Sequence, residues 1–160
     1  MKQAIIVILF ILAIAFISCQ SDGKSENKSN SENKTASPIE GNWILVSTEV
    51  NGKSIVAKRN PRQFKMFHDG YFSLTMYGTD GSFSFAVSGP YEIHDSIYKE
   101  TFAFHSDTNY INGRDWEKWE FKGDTLVFYG FEKVETPDGK DVTAEWNSGG
   151  KFVEKRVRVK

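Results

Sequence analysis

Hydrophobic and polar residues alternate with a period of two along most of the chain, and turn-forming residues interrupt the alternation at short intervals. This alternation is typical of half-buried β-strands. No segment after Ile39 shows the apolar spacing of about 3.6 residues that an amphipathic helix would have. The pattern predicts strands at residues 43–50, 63–67, 71–77, 82–87, 91–94, 97–105, 116–121, 125–135, 142–146 and 151–159.

So many short strands predict an all-β domain, either a sandwich or a closed barrel. The chain has 13 Phe, 6 Tyr and 4 Trp. If a sheet so rich in aromatic residues stayed open, its unpaired edge strands would be prone to aggregation. Closure removes those edges, so we expect an antiparallel up-and-down β-barrel. Gly89 and Pro90 are expected to interrupt strand pairing, because proline has no N–H to donate.

The N-terminal region has the pattern of an export signal. An uncharged apolar run at residues 4–17 follows Met1 and Lys2, and it is shorter than the roughly 20 residues of a spanning helix. The run ends in Ala-Phe-Ile-Ser-Cys at 15–19 and resembles the lipobox of bacterial lipoproteins. The resemblance implies cleavage before Cys19 and its acylation with palmitate-type chains. An ordinary secretory signal with an incidental cysteine, or a buried free thiol, are the alternatives.

Three regions follow from this pattern: a signal peptide at 1–18, lipidated Cys19 with a disordered linker at 19–38, and a barrel domain at 39–160. The linker has no large apolar residue, so it cannot bury enough surface to offset the entropy of ordering it. In Gram-negative lipoproteins an Asp after the cysteine favours inner-membrane retention. Gln20 occupies that place, so the resemblance implies an outer-membrane lipoprotein of the cell envelope, in either leaflet.

Composition and motifs exclude several functions. The 160-residue chain has a net charge of −1, which argues against a nucleic-acid binder. Its single Cys19 cannot form an internal disulfide. There is no Gly-x-Ser-x-Gly motif, and we predict no catalytic residue, no cofactor and no metal. The histidines have no ligand spacing and are expected at surfaces or turns: His68, His94 and His105.

The first strand of the barrel region carries a family resemblance. Gly41-Asn42-Trp43 resembles the Gly-x-Trp start of lipocalins. Together with Asn51-Gly52-Lys53 and the run at 61–72, it is similar to lipocalin-like domains of unknown function in bacterial lipoproteins. The resemblance implies structural roles for Gly41 and Trp43, with Trp43 at the barrel floor. It also implies that Arg158, or else Arg156, stacks on the indole, a contact of about 0.5–2 kcal/mol.

Alternate residues of a barrel strand face inward, and the inward phase predicts an aromatic pocket. Glu100 falls in this phase and is expected to accept from a ligand hydroxyl or amine. It could instead be a rim residue paired with a basic side chain, or solvated. A desolvated carboxylate needs a partner, so a basic or hydroxyl group is predicted beside it. The predicted ligand-binding residues are Phe72, Met76, Tyr98, Glu100, Phe102 and Phe104.

Further acidic and basic stretches are given simpler interpretations. Asp115, Glu117 and Glu120 are expected on a solvated strand face, and the basic stretch at 151–160 alternates like an ordinary half-buried strand. Spatial pairs of carboxylates are invisible in a sequence.

Two functional hypotheses remain. The envelope-anchored barrel binds a small, partly apolar molecule, or it is a filled scaffold whose loops at 53–62 and 107–115 contact an envelope protein or glycan. An interior cavity above about 300 Å³ would favour the first.

Overall fold

A computed structural model describes residues 37–54 and 62–160. The predicted signal peptide, Cys19 and the linker up to residue 36 lie outside the described residues, as does the segment 55–61. None of the helices in the described part is long and apolar enough to cross a membrane. The strands are β1 Gly41–Val50, β2 Lys53–Ser54, β3 Arg62–His68, β4 Tyr71–Tyr77, β5 Phe83–His94, β6 Ile97–Thr101, β7 Phe104–His105, β8 Arg114–Lys122, β9 Thr125–Glu135 and β10 Phe152–Arg158.

Eight of these strands form a closed antiparallel barrel. Strands adjacent in sequence are adjacent in the sheet, in the order β1, β3, β4, β5, β6, β8, β9, β10. The last strand pairs with the first, with Trp43 opposite Arg158. The two-residue strands β2 and β7 add to β1 and β5. The prediction of an all-β, up-and-down barrel is confirmed.

Tight turns close one end of the barrel and longer connections surround the other. At the closed end, β3 and β4 are joined by Asp69 and Gly70, whose φ angles of 48° and 79° suit a two-residue hairpin. Residues 95–96 and 123–124 make the other two turns there. At the open end the connections are residues 78–82, 106–113 and 136–151. We use closed half and open half for the two ends of the interior.

Strand β5 runs without interruption through Gly89 and Pro90, so the expected break there is wrong. Both residues stay paired with β4. On the other side of β5, pairing with β7 ends at Ser88 and pairing with β6 begins at Tyr91. Proline's missing donor therefore falls where that neighbour is itself interrupted. Glycine is required at position 89, because a Cβ would collide with the backbone carbonyl of Thr101.

The strand predicted at 142–146 is instead a short helix, α1 Thr143–Trp146. The Asp141 carboxylate accepts from the Thr143 N–H at 2.9 Å, a local bond that favours a turn over an extended strand. The Thr143 hydroxyl oxygen also accepts from the Val134 N–H at 2.8 Å, which ties the helix to β9. As a result Trp146 lies at the open end, within 5.1 Å of the Tyr110 ring.

Trp43 lies at the closed end and is 1% exposed. Its indole N–H donates to the Ile39 carbonyl at 2.8 Å, and the Arg158 guanidinium lies 4.4 Å from the indole centroid. This is the contact that the lipocalin resemblance implies. Gly41 has a φ of 122°, and a Cβ there would collide with the Arg158 guanidinium, so glycine makes room for the stacked arginine.

Candidate ligand-binding site

The open half of the barrel contains a cavity of about 520 Å³. Known small-molecule sites typically measure about 300–1,000 Å³. Rings surround the part of the cavity nearest the open end, from Phe85, Phe102, Tyr110, Phe131, Trp146 and Phe152. Charged side chains line the deeper part, from Lys65, Glu100, Asp115, Glu117, Glu154 and Arg156.

Lys65 projects from β3 into the interior and is only 3% exposed. Its ammonium forms an ion pair with Glu100, which also accepts from the Tyr98 hydroxyl at 2.5 Å. The predicted basic or hydroxyl partner of Glu100 is therefore confirmed in both forms. Burial lowers the pKa of Lys65, but attraction to Glu100 and Glu117 outweighs it and the pKa is raised overall. Burial and the same carboxylate raise the pKa of Tyr98 well above its ordinary value.

Four aromatic rings surround the Lys65 ammonium on the side of the closed half. It lies 4.9 Å from the ring centroids of Tyr98 and Phe128, and 5.5 and 5.6 Å from those of Phe72 and Phe67. Ring faces attract a cation, so this surrounding replaces part of the hydration that burial removes.

Arg156, the second candidate for stacking on Trp43, instead projects from β10 into the cavity and is 1% exposed. Its Nη2 forms an ion pair with Glu154 at 2.5 Å and donates to the Gln63 side-chain oxygen. The Nε and Nη1 atoms have no hydrogen-bond partner among the described residues. A buried guanidinium with two nitrogen atoms that make no hydrogen bond costs free energy, unless a bound group accepts from those atoms.

Asp115 and Glu117 project inward from β8, so the expectation of a solvated face is wrong for both. They are 3% and 5% exposed, while Glu120 is exposed as predicted. The opposite face of β8 carries Trp116, whose ring lies 5.9 Å from the Lys99 ammonium and 5.1 Å from that of Lys133. Because Trp116 lies on the outer face of β8, the residues that alternate with it, Asp115 and Glu117, face the cavity.

Neither of these two carboxyls forms an ion pair with a basic side chain of the described residues. One oxygen of Asp115, Oδ1, has no hydrogen-bond partner there either. Burial, and then the charge of Glu100, raises the pKa of Asp115 well above its usual range. Burial raises the pKa of Glu117 to about 8 against the attraction of Lys65. Burial therefore favours the protonated form of both groups.

The carboxylate oxygens of Glu100, Asp115 and Glu117 lie within 4.8 Å of one another. Hard divalent cations prefer oxygen donors of this kind. Lys65 already neutralises Glu100, so a metal ion at this position would have to share that carboxylate with an ammonium. Two of the three acids remain for any other positive group.

The predicted ligand-binding residues divide between the two halves. Glu100, Phe102 and Met76 line the cavity, whereas Phe72 and Tyr98 lie in the closed half beside Lys65.

The inward position predicted for Phe104 is wrong, because its side chain is 72% exposed. The Ala103 N–H donates to the Thr101 carbonyl at 3.1 Å in the gap between β6 and β7, and the alternation shifts there by one residue. The shift puts His105 in the cavity lining in place of Phe104.

His105 therefore differs from the expected surface histidine. Its ring lies 5.0–5.3 Å from those of Phe85, Phe102 and Tyr110. The other two histidines are exposed as predicted, with 94% and 71% of the side chains of His68 and His94 accessible.

Lys65 was absent from the predicted site, although the sequence held a signal for it. In β3 the more apolar phase is Phe64 and Met66, and these side chains are 44% and 46% exposed. The two-residue turn between β3 and β4 sets Lys65 opposite Leu74, which lies in the same alternation phase of β4 as Phe72 and Met76, both predicted to line the pocket. Directly opposed residues of an antiparallel pair share a face, so the turn implies that Lys65 points into the barrel.

An eight-stranded antiparallel barrel of this kind is compatible with a lipocalin-like fold. No protein-family model matches the chain, and no curated protein matches it either. The case for a function therefore rests on the cavity and on the side chains that line it.

Proposed function

We propose that the barrel binds a small, partly apolar molecule in the cavity of its open half. The observation that carries the proposal is the cavity of about 520 Å³ lined by inward-facing side chains of the barrel strands. This volume exceeds the roughly 300 Å³ at which small-molecule sites begin. A scaffold filled by its own side chains would not keep such a space, so the cavity favours ligand binding over the scaffold alternative.

The lining supports the same conclusion. Rings of Phe102, Tyr110 and Trp146 offer apolar faces to a ligand body, and burying apolar surface contributes about 25 cal/mol per Å². The charged groups deeper in the cavity offer directional contacts that would fix the ligand's orientation. An apolar wall with a few convergent polar groups is the usual arrangement of a small-molecule site.

Uptake of the neutral dye Nile red tests the proposal, because its fluorescence rises in an apolar environment. We expect saturable, one-to-one binding by the barrel domain. Met76→Trp would place an indole in the cavity, which Met76 lines, and is expected to weaken binding strongly while leaving the fold intact. Thr75→Trp is the control, since it introduces the same side chain on the other face of β4. If both variants bind the dye like the parent, the dye is on the outer surface and the proposal fails.

We further propose that the barrel is anchored through lipid on Cys19 in the outer membrane of the cell envelope. The lipobox-like sequence before Cys19 and the polar stretch after it support this. Mass spectrometry of full-length protein expressed in a Gram-negative host is expected to find acyl chains on an N-terminal Cys19. The Cys19→Ser variant should then lose its membrane fraction. A mature protein with an unmodified thiol would contradict the anchor.

A further inference from the structure

We infer that the ligand is an organic amine, bound as its cation with the positive group against Asp115 and Glu117. This inference rests on the proposed function and specifies the ligand class. The observation behind this inference is the way the charged side chains of the cavity pair with one another. Two buried bases line the cavity, Lys65 and Arg156, and each already has an acidic partner, Glu100 and Glu154 respectively.

Two buried acids are left over once these pairs are formed, and the remaining acid of the lining, Asp107, is exposed and accepts from the Asn109 N–H. Asp115 and Glu117 line the same cavity and are almost fully buried. Asp115 Oδ1 also lacks a hydrogen-bond partner in the described part of the chain. A buried polar atom without a partner costs free energy, and a charged donor from a ligand would remove that cost. When ionised, these two acids are the charges in the cavity that lack a partner of opposite sign, so the complementary ligand group is positive.

The protonation of these acids agrees with the geometry. Burial raises the pKa of both Asp115 and Glu117, which keeps the empty cavity close to neutral. An ammonium between them would favour their ionised forms, so binding would release protons to solvent. The charged and titratable groups that face them are Lys65 on β3, Tyr98 and Glu100 on β6, and Glu154 and Arg156 on β10, with His105, Asp107 and Tyr110 farther toward the open end.

The aromatic part of the cavity suits the same ligand. Phe102 and Trp146 are stacked, with ring centroids 6.2 Å apart and planes 7° from parallel. The rings of Tyr110 and Phe131 meet Trp146 edge-on at 5.1 and 5.0 Å. Aromatic faces attract organic cations as well as apolar bodies, so the path to the two acids favours an aryl or alkyl amine.

Arg156 is the feature that favours a rival ligand, an acid. Its free Nε and Nη1 could donate to a carboxylate. However, its charge is already matched by Glu154, and an added anion would lie near four acidic side chains. A neutral hydroxyl or carbonyl oxygen on the amine would accept from Nε and Nη1 without adding negative charge. The amine is therefore the better match, and the acid is the outcome that would overturn it.

Three probes with one apolar skeleton separate these possibilities: phenethylamine, phenethyl alcohol and hydrocinnamate. Their affinities for the unmodified barrel are measured by displacement of Nile red and by calorimetry at neutral pH. We expect the amine to bind about tenfold more tightly than the alcohol, since hydrogen bonds to charged groups are stronger than neutral ones. The acid should bind most weakly. Equal affinity of amine and alcohol, or tighter binding of the acid, would overturn the inference.

Proton release gives a second measurement on the same protein. Calorimetry of the amine in buffers with different ionisation enthalpies is expected to show protons leaving the complex, whereas the alcohol should release none. An amine that binds without proton release would contradict the placement against Asp115 and Glu117.

Substitutions locate the preference. Asp115→Asn and Glu117→Gln keep the shape of each side chain and are expected to reduce amine affinity about tenfold, with alcohol affinity unchanged. Glu120→Gln is the matched control, because Glu120 lies on the same strand and is exposed. Unchanged amine affinity in both inward variants would overturn the inference. If either variant fails to fold, the probe series on the unmodified protein still decides.

The two proposals fail in different ways. If Nile red enters the cavity but the amine has no advantage, this inference is wrong and the proposed function stands. If neither the dye nor any of the three probes enters, the proposed function fails, and this inference fails with it.

Discussion

Both halves of the barrel interior bury charged groups. The closed half pairs its buried charge with one of opposite sign, whereas the open half leaves two acids without a basic partner among the described residues. Lys65 lies where the closed half meets the cavity; it has an ion-pair partner in Glu100, and four rings of the closed half surround its ammonium. In the open half, Asp115 and Glu117 line a cavity and have no basic partner of their own among the described residues. The chain pairs one set of charges itself and leaves the other without a basic partner among the described residues.

The difference separates stability from function. Breaking a buried ion pair by removing one member is strongly destabilising, because the remaining charge loses its compensation. Buried acids without a counter-ion cost stability whenever they ionise. The closed half should therefore respond to mutation with a loss of stability. In the open half, removing an acid should cost little stability, and in one case it should raise the free energy of unfolding.

The largest expected effect is in the closed half. Lys65→Met would leave Glu100 buried without its cation and should lower the free energy of unfolding by about 3–5 kcal/mol. Urea denaturation at neutral pH measures the change. The control is Lys99→Met, which removes a surface pair with Glu92 and should cost less than about 1 kcal/mol.

Adding Glu100→Gln to Lys65→Met removes the stranded charge and should recover part of the lost stability. If Lys65→Met costs no more than the surface control, the closed half does not depend on its ion pair and the comparison fails.

The next effect is in the open half and has the opposite sign. The ordinary pKa of Glu117 is 4.5 and burial raises it to about 8. Between these values the folded protein holds a proton that the unfolded chain has released, so stability falls as pH rises through this interval. Glu117→Gln removes the cost and should raise the free energy of unfolding by about 2 kcal/mol or more near pH 9, with little change near pH 5.

Denaturation curves across this pH range measure the effect. Glu120→Gln, on the exposed face of the same strand, is the control and should leave the pH profile unchanged. A parent protein whose stability is flat between about pH 5 and pH 9 would show that Glu117 is not buried as a neutral acid.

Sequence patterns were sufficient for the eight barrel strands and for barrel closure, since alternation and turn residues are local. Strand β9 begins and ends where the alternation predicts it. The inward faces of β3 and β8 were not predictable from polarity, because that reasoning assumes an apolar interior. In both strands the polar phase faces inward, where Lys65, Asp115 and Glu117 meet only after the barrel closes.

Local breaks were invisible for a different reason. The one-residue shift that turns Phe104 outward depends on the gap between β6 and β7, which depends in turn on the close approach of Thr101 to Gly89. The helical turn that brings Trp146 to the cavity depends on side-chain bonds of Asp141 and Thr143. Such contacts join parts of the chain, or alternative local structures, that periodicity does not distinguish.

A smaller loss of stability is expected at the closed end of the barrel. Arg158→Met keeps an apolar stem but removes the guanidinium from the face of Trp43. It should lower the free energy of unfolding by about 0.5–2 kcal/mol without changing dye binding in the open half. Lys160→Met is a nearby exposed control. Loss of dye binding in Arg158→Met would mean that the two halves are coupled.

The smallest effect concerns the residue that the structure moves out of the site. Phe104→Ser should change the free energy of unfolding by less than about 0.5 kcal/mol and leave affinity for the amine probe unaltered, because the side chain is 72% exposed. Phe102→Ser, two residues earlier and 2% exposed, should weaken both stability and probe binding. Equal effects of the two substitutions would contradict the shift in alternation.

The ring faces around the Lys65 ammonium also make it a magnetic reporter. Protons held above aromatic rings are shielded by ring currents, so the ε-methylene protons of Lys65 should resonate well upfield of those of the other lysines. Their chemical shift would follow the packing of Phe67, Phe72, Tyr98 and Phe128. A single resolved NMR signal would thus show whether a ligand in the open half disturbs the packing of these four rings in the closed half.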